Sequence, residues 1–116
     1  MEVIGIRAFA RCDNLSVIEI SDAVTALSSE AFAECFSLTR VVLPRSLRTI
    51  DDGAFSSCGA LITVEVFENL SSIGNDVFKD CNNLKNVEYS SDAESFSKIA
   101  TGQGNDAFFN AYNKGR

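Results

Sequence analysis

The chain has 116 residues, one domain's worth, and its 46% hydrophobic and 22% charged residues describe a globular rather than a disordered protein. A net charge of −6 and a pI near 4.5 argue against nucleic acid or an anionic membrane surface as partner, because neutralising phosphates takes clustered lysine and arginine. There is no histidine, which removes the commonest general base, metal ligand and physiological pH switch together. Apolar runs are only a few residues long, so membrane insertion is not expected. Met1-Glu2 opens without a basic leader or an apolar core region, so no signal peptide is legible in the chain.

From the start, the chain repeats itself. Phe9, Phe32, Phe55 and Phe78 are spaced 23 residues apart, as 32−9, 55−32 and 78−55 all show. Each is followed three residues later by a cysteine (Cys12, Cys35, Cys58, Cys81) and six residues later by a leucine (Leu15, Leu38, Leu61, Leu84). A fixed period of this size marks a repeat architecture. Further columns hold apolar residues at the same period: Val24, Leu47, Leu70; Ile4, Leu27, Ile50, Ile73; Ala8, Ala31, Ala54, Val77; Ile18, Val41, Val64, Val87; and Ile20, Leu43, Val66, Tyr89. Met1 falls in the Val24 column.

Each column predicts one inward-facing ladder of a stacked coil. Alternation at Ile18 and Ile20 puts both side chains on one face of a strand. Ala8, Phe9 and Cys12 are spaced as one face of a single helical turn. Ser28, Ser29, Asp51, Asp52, Asn75 and Asp76 precede these turns, where N-caps are needed. Leu27 and its equivalents form a short extended segment on the back. A single coil cannot bury its apolar side, whereas stacked coils can, with their strands in a parallel sheet at roughly 4.8 Å spacing. A right-handed crossover makes the solenoid right-handed.

The spacing Leu15-x-x-Ile18-x-Ile20 is that of a leucine-rich repeat strand. Residues Leu38 to Cys58 and Leu61 to Cys81, with Leu43-Pro44, Ile73-Gly74 and Ala54-Phe55-Ser-Ser-Cys58, resemble the BspA-type leucine-rich repeat, over about residues 3 to 89. The departure is that this proline appears only at Pro44, where the other coils carry Ser21, Phe67 and Ser90. The resemblance implies an α/β repeat, a right-handed leucine-rich repeat solenoid with a parallel β-sheet on one face and short helical turns. It implies a surface or secreted location, attachment or protein binding to a host or cell-surface component, and no catalysis by the repeat.

After Tyr89 the period fails. Gly74 to Asn83 aligns instead with Gly104 to Asn113, a shift of 30, with five of ten residues identical. This predicts a fifth, degenerate coil with a seven-residue insertion (30−23), in which Ala111 replaces the cysteine. Ala93, Phe96, Ile99 and Ala100 have the spacing of a short amphipathic helix. The expected organisation is four stacked coils over 1–91, the first incomplete, and a capping repeat over 92–116, because terminal repeats must close an apolar core. The strand at Leu15 to Ile20 has no preceding partner, so either the chain is a fragment of a longer array or this edge pairs with another chain.

No residue set reads as catalytic, metal-binding or cofactor-binding. Successive cysteines roughly 5 Å apart in a line cannot converge on one tetrahedral zinc. They read as small, buried, reduced thiols. Thr101-Gly-Gln-Gly104 lacks the strand and lysine of a phosphate loop and reads as a turn. What remains is the outward side of the strands, the usual binding side of such a solenoid. The candidate protein-binding face is Val17 and Glu19, Arg40 and Val42, Ile62, Thr63 and Glu65, Phe67, Asn86 and Glu88. The alternative is a structural spacer within a longer array, with no ligand of its own.

Overall fold

The computed structural model describes residues 2–114, so Met1, Gly115 and Arg116 lie outside the described residues, and with Met1 its assignment to the Val24 column. Two parallel sheets run along the solenoid. One contains β1 (Glu2–Ile4), β3 (Val24–Leu27), β5 (Thr49–Ile50), β7 (Ser72–Ile73) and β9 (Ala100–Thr101), in that order. The other contains β2 (Val17–Glu19), β4 (Arg40–Val42), β6 (Thr63–Val66) and β8 (Asn86–Tyr89). Every pairing is parallel, and Val17, Arg40, Thr63 and Asn86 stand in one register row. The back segments therefore form a sheet of their own.

The predicted columns are the core. Leu27, Ala31, Cys35, Leu38, Val41, Ala54, Phe55, Cys58, Leu61, Val64, Val77 and Phe78 are completely buried. The phenylalanines stack in one file, with ring centroids 5.2, 5.3 and 5.6 Å apart from Phe9 to Phe78. Tight β-turns link the sheets: Leu38 N–H to Cys35 C=O on one side of the coil, Leu47 N–H to Pro44 C=O on the other.

The Phe–Cys corner differs from the predicted helical turn. In the first four coils it is built from successive turns, with left-handed residues two before and two after each phenylalanine. Those residues are Arg7 and Arg11, Glu30 and Glu34, Gly53 and Ser57, and Asp76 and Asp80. A helix would spend its amides on its own carbonyls. Here alternate amides reach the next coil: Arg7, Phe9 and Arg11 donate to the carbonyls of Ser29, Ala31 and Ala33 at 3.1, 2.8 and 2.8 Å. The same pattern recurs in the next two coils, so each of these coil junctions carries a third hydrogen-bonded ladder. A left-handed residue other than glycine costs about 1–2 kcal/mol, and the cross-coil bonds offset that cost.

Two of the Asx side chains before the corner, those of Asp52 and Asn75, act between coils rather than as caps. Asp52 Oδ1 accepts from Asn75 N–H at 2.8 Å, and Asn75 Oδ1 from Gln103 N–H at 2.9 Å. Asp22 Oδ1 accepts from Arg45 N–H at 3.1 Å.

In the fifth coil the helical reading holds. Helix α2 spans Asp106–Lys114, and its Phe108 stacks on Phe78 at 4.9 Å. The insertion is split in two. Ile73 pairs with Thr101, an offset of 28, whereas the stacked rings are offset by 30. Five extra residues (28−23) therefore precede β9 and two more (30−28) enter the corner. Helix α1 (Ala93–Ser97) takes up the first part, with Asp92 capping it through Ser95 N–H at 2.9 Å. That hydrogen bond holds the Asp92 carboxyl below its usual pKa.

Candidate functional site

Alternation along β2, β4, β6 and β8 turns two rows of side chains outward. The first row is Val17, Arg40, Thr63 and Asn86, and the second is Glu19, Val42, Glu65 and Glu88. Nine of the ten face residues named from the sequence keep appreciable exposure, among them Val17 at 56% and Ile62 at 41%. Thr63 does not. It is 7% exposed, standing between the longer Arg40 and Asn86 chains, with Asn86 Nδ2 3.5 Å from its hydroxyl. It supports the face and offers little surface.

Charge on this face is partly settled within it. Arg40 is paired with Glu65 across the strands, and lies 3.9 Å from Glu88. Such exposed pairs contribute about 0–1 kcal/mol each, so they set the charge pattern more than the stability. Phe67 lies past the end of β6, and the Arg45 guanidinium carbon sits 4.6 Å above its ring. Arg45 was not among the face residues read from sequence; its period position gave no reason to place it over a ring in the next coil. A groove of about 360 Å³ runs past Glu19, Asp22, Val42, Pro44, Arg45 and Phe67.

Two of the other depressions lie at the corner and at the open end of the sheets. One, about 500 Å³, lies at the Phe–Cys corner, where three of its polar side chains are engaged: Glu30 with Arg7 at 2.7 Å, and Asp52 and Asn75 in the bonds above. The other, about 320 Å³, opens beside β1 and β2 over Ile4, Phe9, Leu15, Ile18 and Val24. Those strands are the outermost members of their sheets, and Val3, Ile6 and Phe9 around them are exposed.

The cysteines form a ladder with a hydrogen-bonding task. The Sγ atoms of Cys35, Cys58 and Cys81 donate to the carbonyls of Phe9, Phe32 and Phe55, at 3.1, 3.2 and 3.0 Å. Burial pushes the Cys35 thiol up to about 11, and the adjoining Cys81 thiol together with burial pushes Cys58 higher still. Cys35 and Cys58 are therefore protonated, weakly nucleophilic groups, and Cys81, whose thiol is lowered by the Cys58 contact, is shielded by its 2% exposure. Ellman's reagent should therefore modify Cys12 alone in the native protein and all four thiols in denaturant. Rapid native reaction of two or more would contradict the buried ladder.

A family profile described as the BspA type leucine-rich repeat region matches residues 1–113, in six copies. The chain belongs to this family. As a BspA-type repeat it shares its fold with two solved proteins. A leucine-rich cell surface protein from Faecalibacterium prausnitzii superposes with a TM-score of 0.68 at 24% identity, covering 84% of this chain and 32% of that one. A T. pallidum leucine-rich repeat protein gives 0.57 at 26% identity, covering 87% of this chain and 55% of that one. The chain thus spans about a third and about half of these relatives. No curated protein matches it significantly. The leucine-rich repeat fold implies a protein-interaction module, and such repeats are generally not enzymes.

Proposed function

We propose that the chain is a non-enzymatic recognition module that binds a protein through the outward side of β2, β4, β6 and β8. The supporting observation is the composition of that side. Val17, Val42, Ile62 and Phe67 are apolar and at least partly exposed, and they are interleaved with Glu19, Arg40, Glu65 and Glu88. Apolar contact area rimmed by charge is the usual make-up of a protein interface. A cell-surface location is part of this reading, supported by the family and by the F. prausnitzii relative, a leucine-rich cell surface protein. In the same reading residues 92–116 close one end of the core, through Phe108, Ala111 and Tyr112, all buried.

Combining Arg40→Glu, Val42→Asp and Ile62→Asp tests it. Binding to a surface-protein extract should fall at least about tenfold, since two apolar contacts and one charge are reversed. Arg48→Glu, in the turn leading into β5, should bind as before. Equal binding by the triple variant sinks the strand-face reading.

A second reading is favoured by the open strands β1 and β2 and the apolar depression beside them. In it the coils are one stretch of a longer array and serve as a spacer. Edge-to-edge association with another chain would use the same strands.

A further inference from the structure

We propose that the groove at the ends of β2 and β4 seats a lysine or arginine side chain of the partner protein. This rests on the strand-face reading and adds the chemistry of what is recognised. The groove is where the repeat breaks its own pattern. Pro44 and Phe67 occupy positions that carry Ser21 and Ser90 in the flanking coils, so an apolar floor replaces small hydroxyls. Val42 extends that floor onto the sheet.

Two carboxylates line the groove, Glu19 and Asp22. Asp22 accepts a backbone hydrogen bond from Arg45 through one of its two oxygens. Glu19 is exposed, and among the described residues no cation lies within ion-pair distance of it. Arg45, the one cation among the described residues lining the groove, is already drawn over the Phe67 ring at 4.6 Å. The ring therefore already holds a guanidinium against its face. A basic side chain matches this arrangement in both its parts. Its methylene stem covers Val42, Pro44 and Phe67, as long cationic chains cover apolar surface elsewhere. Its charge meets Glu19 and Asp22. An acidic side chain would be repelled by those two carboxylates, and a purely apolar one would gain nothing from them.

The probe is an octapeptide alternating lysine with valine, titrated into isotope-labelled protein and followed by backbone amide shifts. An octapeptide alternating glutamate with valine is the control. Shifts from the lysine peptide should concentrate at Glu19–Asp22, Val42–Arg45 and Phe67, and the glutamate peptide should produce none. Combining Glu19→Gln with Asp22→Asn should weaken binding at least about fivefold, a cost of roughly 1 kcal/mol. The amide oxygen introduced at position 22 would still accept from Arg45, so the fold is kept. Phe67→Ser should weaken it to a similar extent at high salt, where the charge contribution is screened. Shifts spread evenly over Asp51, Asp52, Asp76 and the other carboxylates, or unchanged affinity in the double variant, overturn the proposal. If the double variant keeps the natural partner while the strand-face triple variant loses it, the basic-side-chain inference fails and the strand-face reading stands. If both variants keep the partner, both fail.

Discussion

Phe55→Ala should destabilise the protein by about 3–5 kcal/mol. Phe55 is completely buried and lies between Phe32 at 5.3 Å and Phe78 at 5.6 Å, with its ring nearly parallel to both. Truncation removes the transfer energy of the ring and opens a cavity, which the flanking rings cannot fill because each is held by its own coil. A chain of this length has a total stability on the order of 6–17 kcal/mol, so the loss is a large share of it. The position in the file matters as much as the burial. Each coil of a solenoid is stabilised mainly by its neighbours. A break in the third coil therefore weakens two junctions, and the carbonyl of residue 55, which takes the Cys81 thiol, shifts with it. Phe9 provides the control. It stacks on Phe32 and is 42% exposed, so Phe9→Ala should cost only about 1–2 kcal/mol. Urea denaturation followed by far-ultraviolet circular dichroism separates the two. A Phe55→Ala cost no larger than that of Phe9→Ala would show that the stacked file is not what couples the coils.

The same file explains why so much of the fold was legible in the sequence. In a solenoid, spatial neighbours are residues one period apart, so a column in an alignment of the chain with itself is already a list of contacts. The Phe, Cys and Leu columns fixed the core, and the shift of 30 placed Phe108 on Phe78. Local conformation was less legible. Ala-Phe-x-x-Cys satisfies both a helical turn and a pair of left-handed corners, because each puts those three side chains on one side. The distinguishing signal was weak: glycine at Gly53 and aspartate at Asp76 and Asp80, residue types that tolerate positive φ. The roles of Asp52 and Asn75 were hidden for a related reason. A reading along the chain assigns a side-chain acceptor to its own turn, whereas these accept from residues 23 and 28 positions later. On the face, alternation placed the rows but gave no account of relative side-chain length, which is why Thr63 counted as surface until Arg40 and Asn86 were seen beside it.

Asn105 carries the second large effect, although in sequence an asparagine near a glycine reads as an ordinary turn residue. It is 2% exposed and ties the fifth coil to the fourth. Its Oδ1 accepts from Val77 N–H at 2.9 Å, and its Nδ2 donates to the carbonyls of Gly74 at 2.8 Å and Gly102 at 3.1 Å. Gly104, just before it, has φ +81°, a conformation that residues with a side chain rarely adopt. Asn105→Leu keeps the branched shape and strands three backbone groups, at about 1–3 kcal/mol for each left buried without a partner. A net loss of about 3–5 kcal/mol is expected after local relaxation. It should be read first at the end of the array: amide exchange in α2 and β9 should accelerate strongly, while β4 and β6 change little. Uniform acceleration along the chain would mean that the fifth coil is not a separable unit. Asn105→Asp adds a pH signature. The acceptor for Val77 is kept, but at neutral pH a carboxylate oxygen faces two carbonyls in a dry site. Burial and those carbonyls raise the folded-state pKa above the unfolded value of roughly 3.9. Relative to the native protein, the variant is then best tolerated below that unfolded value and loses stability as pH rises through the raised one. Thermal unfolding of both proteins at about pH 3.5 and about pH 7, on either side of that window, should show the gap between them narrowing in acid. A gap independent of pH would place the side chain of residue 105 in solvent rather than between the two carbonyls.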